Sequence, residues 1–105
     1  INKIQKSDEL LKDLQLNDFA SDDFYVEIRP ECFKISENQN AIKCKINRIS
    51  KMGKEELVYL DFYGQEVCAI LQTEEDLEVG KELLIDFKQR GFFIFDKNGK
   101  LQELI

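Results

Sequence analysis

The chain has 105 residues, 15 basic and 21 acidic side chains, a net charge of −6 and no histidine. That length allows one domain with a modest core, and the acidic balance opposes binding to nucleic-acid phosphates or an anionic membrane face. No apolar run approaches the roughly 20 residues of a membrane helix, and the start at Ile1 rather than Met leads us to expect a piece cut from a longer protein.

Taken in order, Ser7 to Leu16 carries Leu10, Leu11 and Leu14 on one helical stripe, with Ser7 or Asp8 placed as N-cap. The spacing predicts a short amphipathic helix. Asn17 to Asp23 reads as a loop. Phe24 to Arg29 alternates, with Phe24, Val26 and Ile28 inward, and Pro30 ends that strand. Glu31 to Ile35 reads as a tight turn or short extended piece. Ala41 to Ile49 is the cleanest strand, since Ile42, Cys44 and Ile46 alternate with Lys43, Lys45 and Asn47. Ser50 to Gly53 then leads into a hairpin.

The arms of that hairpin are Leu57 to Phe62 and Gln65 to Leu71, joined at Tyr63-Gly64. Val58, Leu60 and Phe62 share one face of the first arm, and Val67, Ala69 and Leu71 one face of the second. An acidic stretch follows, with Glu74, Glu75, Asp76 and Glu78. Glu82 to Lys88 is another strand, Gln89-Arg90-Gly91 turns, and Phe92 to Phe95 is a short apolar strand. Asn98-Gly99 marks a last hairpin turn before Lys100 to Ile105. Short strands at this spacing give a mainly β fold, a small antiparallel OB-like barrel with one short N-terminal helix.

Chemistry is sparse. Without histidine no Ser-His or Cys-His nucleophile pair can be written, and the carboxylates read as a solvated surface. Cys32, Cys44 and Cys68 have no Cys-x-x-Cys spacing, so reduced, buried thiols in a cytoplasmic setting are expected. Gly53-Lys54 and Gly80-Lys81 are not phosphate loops, because Arg48 and Glu75 stand where the motif needs glycine and glutamate follows each lysine. Asp96 to Gly99 lacks the terminal glutamate of a calcium loop. The basic group Lys43, Lys45, Arg48, Lys51 and Lys54 reads as a solvated or subunit-contacting face rather than a nucleic-acid groove.

From Ala41 onward, the order Lys45 to Ile49, Met52 to Asp61, Gly64 to Val67, Asp76 to Glu82 and Phe95 to Gly99 resembles the transport-associated OB domain at the C-terminus of ABC importer ATPases. Val26 to Glu31 looks like the Gly-Ile-Arg-Pro-Glu segment of the same subunits, and the maltose-type sugar importers are the nearest in look. Glu27 departs from the family's usual glycine, Cys32 from its histidine or aspartate, and Met52 from its leucine.

The resemblance implies a C-terminal regulatory domain spanning 1–105, with helix and Arg-Pro-Glu strand in 1–35 and the main barrel strands in 41–105. It implies no catalysis in this chain, because the Walker and signature motifs are absent from it; ATP and Mg would belong to a preceding domain. The implied partners are a second ATPase subunit in a homodimer, membrane permease subunits reached through that preceding domain, and a regulatory protein or metabolite. The setting would be cytoplasmic, peripheral to the inner membrane face. Arg29 and Glu31 are expected as an orienting pair, and Tyr59, Phe92, Glu74, Glu75 and Asp76 as regulatory or interface contacts. The alternatives are an oxyanion-sensing or small-ligand OB domain, and the same domain in a polyamine or metal-ion importer.

Overall fold

A computed structural model describes residues 2–5, 7–15, 24–73, 76–88 and 91–104. The expected loop at 17–23, the turn residues 89–90 and the terminal Ile105 lie outside the described residues. The chain is mainly β, an antiparallel OB-like barrel with, among the described residues, one short α-helix. Its strands are β1 (Asn2–Gln5), β2 (Phe24–Ile28), β3 (Phe33–Ile35), β4 (Ile42–Met52), β5 (Glu55–Phe62), β6 (Gln65–Leu71), β7 (Glu82–Phe87), β8 (Phe92–Asp96) and β9 (Leu101–Leu104), and its helix is α1 (Asp8–Asp13). They form two sheets, one in the order β1-β2-β8-β9 and one in the order β3-β7-β4-β5-β6.

Alternation decides which side chains go inside. Val26 and Ile28 of β2, Cys44 and Ile46 of β4, and Val58, Leu60 and Phe62 of β5 are all buried, as period two requires. Helix α1 starts where the Ser7 hydroxyl accepts the Leu10 N–H at 3.2 Å, and it buries Leu10 and Leu11. The β5–β6 turn places Tyr63 and Gly64 at φ 53° and 79°, the pair of positive values a two-residue type I′ turn demands. Tyrosine is a costly occupant there. Its phenol donates to Asp13 of α1 at 2.8 Å and its ring meets Phe62 edge-on at 4.7 Å, so the turn ties the helix to the sheet.

Three features differ from the expectation. Asn2–Gln5 is a strand that a short mixed-polarity segment does not announce; it pairs antiparallel with β2. β4 runs on through Ser50 to Met52 because the register shifts between Ile46 and Arg48, a bulge that lets the strand bend and keep pairing with β5. Phe92, expected at a contact surface, is only 2% exposed. Its pairing with Ile28 turns the ring inward, where it lies 5.4 Å from Phe87, itself next to Phe33 and Phe62.

Two seams join the sheets. At one, the 3₁₀ turn Pro30–Cys32 lies beside Lys88 and Gly91: Arg29 N–H donates to the Gly91 carbonyl at 2.9 Å and Lys88 N–H to the Cys32 carbonyl at 2.7 Å. At the other, side-chain amides do the work of backbone. The Asn2 amide donates to the carbonyls of Cys68 (2.7 Å) and Ile28 (3.0 Å) and accepts from Cys68 N–H (2.7 Å). The Gln65 amide accepts from Gln5 N–H (2.9 Å) and donates to the Gln5 carbonyl (3.1 Å).

Two outcomes follow. Asn2→Ala strips β6 of a donor and an acceptor at a partly buried position, so chemical denaturation should register a loss of about 2 kcal/mol. Gly91→Ala places a methyl carbon 2.4 Å from the Cys32 Cβ, and since backbone must shift to admit it, a loss of about 3 kcal/mol is expected in the same assay.

Candidate functional site

The residues singled out by sequence do not converge. Arg29 leaves β2 at the first seam, exposed, with its guanidinium 5.3 Å from the centre of the Phe93 ring. Glu31 sits one turn on, also exposed, and the two form no ion pair. Tyr59 lies on the outer face of β5, half-buried beneath the Arg48 guanidinium at 4.0 Å; Arg48 also forms an ion pair with Glu66 of β6. Register explains this trio: Arg48 is opposite Tyr59, and Tyr59 opposite Cys68 beside Glu66. Glu74 and Glu75 lie outside the described residues, and Asp76 is exposed in the segment before β7.

An open groove of about 530 Å³ lies between α1 and the outer face of the five-stranded sheet. Sequence reasoning missed it, because its walls come from segments up to 73 positions apart, Glu9 to Glu82. Lys45 of β4 faces Asp61 of β5 on one side and Glu82 of β7 on the other. Glu9 and Asp13 of α1 and Lys43 complete the charged lining. Four carboxylates thus stand against two ammonium groups. Asp13 is engaged by Tyr63, and Asp61 caps the turn by accepting Gly64 N–H at 2.9 Å. An anion entering the groove meets net negative charge.

The ionisable groups beneath are held neutral. Burial, reinforced by the hydrogen bond to Asp13, raises the Tyr63 pKa above its ordinary value. Burial pushes the Cys44 thiol up from 9.0 to about 12, helped by nearby Asp61. Burial likewise raises Cys32, whose thiol donates to the Lys88 carbonyl at 3.0 Å, and Cys68. None of the three thiols is therefore set up as a thiolate nucleophile at neutral pH. Among the described residues, no group of three His, Cys, Asp or Glu side chains is placed to hold a metal, and no helix is long and apolar enough to cross a membrane.

At the level of class, the chain is a small OB-like β-barrel carrying a short helix. Comparison with models of known protein families gives no match, and comparison with curated proteins gives none either.

Two measurements bear on this chemistry. Because folding raises the Cys44 pKa, its contribution to stability is complete below about pH 9 and is lost as pH rises from 9.0 through about 12. Stability should therefore fall above pH 9, and Cys44→Val should flatten that fall by up to about 1.4 kcal/mol per pH unit. Titration calorimetry with molybdate or phosphate should show no saturable binding, as four carboxylates in the groove require.

Proposed function

We propose that this chain is the regulatory and dimerisation domain of the ATP-binding subunit of an ABC importer, of the sugar-importing kind. The single observation that carries the reading is where the resembling motifs fall on the barrel. Arg29-Pro30-Glu31 makes the corner between the sheets, and the motif glycines Gly53, Gly64, Gly80 and Gly99 all stand at positive φ. Several of the residues that carry the resemblance are thus ones on which turns depend.

In this reading, hydrolysis belongs to a preceding domain that holds ATP and Mg and engages the permease subunits at the cytoplasmic membrane face. The barrel contributes no reacting group. It keeps two ATPase domains at high effective concentration as they open and close, and a regulatory protein or metabolite that prefers one arrangement shifts the balance.

The test is the coding sequence upstream of Ile1. A Walker A motif, an ABC signature and a Walker B motif, in that order, are expected there. An upstream region without them sinks the assignment.

A further inference from the structure

Two residues stand where their own local preferences oppose them, and they are bonded to each other. Tyr63 opens the turn between β5 and β6 at φ 53°, a left-handed conformation that asparagine or glycine adopts far more readily than a bulky side chain. Asp13 is the last residue of α1, where the negative end of the helix dipole disfavours a carboxylate. Glu9 precedes it at i−4, a like charge on the same helical face. The Tyr63 phenol donates to the Asp13 carboxylate at 2.8 Å across 50 positions of sequence. Just beyond Asp13, Gln15 follows α1 at φ 57°. Among the described residues, Gln15 and Tyr63 are the non-glycine residues at positive φ, and they flank this one bond.

We infer that Tyr63 and Asp13 form a clasp, a conformational device that holds α1 docked and whose release lets α1 leave the sheet while the barrel stays folded. Each residue is unfavourable within its own element and favourable only when it meets the other, a conflict of local and tertiary preference of the kind that gathers at switch regions. In the docked state the phenol bond and the burial of Leu10 and Leu11 hold the helix. In the released state the turn relaxes, and unwinding frees Asp13 from the dipole. A helix of six residues has no stability of its own in water, so release and unwinding are one event. The two seams that close the barrel run through Asn2, Gln65, Arg29 and Lys88, and none of their bonds involves α1. Glu9 and Asp13 form the helical wall of the groove, so release also takes that wall away and brings Leu10 and Leu11 into water.

The clasp is independent of the importer reading and belongs to any protein that contains this chain. Native-state amide hydrogen exchange tests it. The Leu11 and Leu14 amides donate to the Ser7 and Leu10 carbonyls. In the unaltered chain they should exchange at a rate that low denaturant leaves unchanged, the sign of a local opening, while the Val58 and Leu60 amides of β5 respond as global unfolding does. Tyr63→Phe keeps the ring beside Phe62 and removes only the hydroxyl; exchange at Leu11 and Leu14 should rise about tenfold with β5 unchanged. Tyr63→Asn, the better turn residue, should speed α1 while β5 and β6 exchange no faster, which general destabilisation would not produce. In the Tyr63→Phe background Asp13→Ala should slow α1 exchange, because the dipole and Glu9 then act unopposed; beside the intact Tyr63 it should not. Helix amides that exchange only together with β5, a Tyr63→Phe variant that leaves α1 unaltered or speeds β5 equally, or an Asp13→Ala effect that is the same in both backgrounds overturns the clasp.

Discussion

The barrel depends on closing its second seam without a strand ladder. β1 and β6 are the edges of different sheets, and the Asn2 and Gln65 amides bridge them, each offering one N–H and one C=O to the backbone opposite. A side-chain amide carries the same donor and acceptor as a peptide unit, so it can pair with a strand edge while the two backbones stay at an angle to each other. The first seam needs no such device, because backbone bonds there tie Arg29 to Gly91 and Lys88 to Cys32 directly. Gly91 is required there, since Cys32 fills the space a methyl would take.

Once both seams are set, inside and outside are fixed. Phe33, Phe62 and Phe92 in the interior and the half-buried Phe87 form one ring cluster, edge-on in three pairs and tilted in the fourth, geometries aromatic pairs favour, and α1 lays Leu10 and Leu11 onto the same core. The two outer faces then differ in character. The five-stranded sheet turns out alternating charge, with Lys45 between Asp61 and Glu82. The four-stranded sheet turns out Tyr25, Phe93 and Phe95.

Much of this was legible residue by residue. β2, β5, β6 and β4 as far as Ile46 alternate because each has one face in the core, so polarity reports orientation directly. β8 gives no such report. Phe92-Phe93-Ile94-Phe95 is apolar on both faces, and only the register Ile28 to Phe92 decides that Phe92 goes in and Phe93 out. For that reason Phe92 was expected at a contact and is found in the core. The β4 bulge escaped notice for a related reason: an inserted residue inverts the alternation locally, and Asn47 and Arg48, both polar and exposed, look like a strand end. β1 was silent because Asn2, Lys3 and Gln5 surround a single buried Ile4.

The sequence by itself determined the class of fold, the short helix with its cap at Ser7 or Asp8, and the turns at Gly53, Tyr63-Gly64 and Asn98-Gly99, because these follow from local sterics and from periodicity over a few residues. Tertiary structure alone decided the amide seam, the groove between α1 and the sheet, and the aromatic face with Glu27 between Lys3 and Arg29. Each of these joins residues from distant parts of the chain, such as Asn2 with Cys68 or Tyr25 with Phe95, and no pattern over a few neighbouring positions encodes a distance across a barrel.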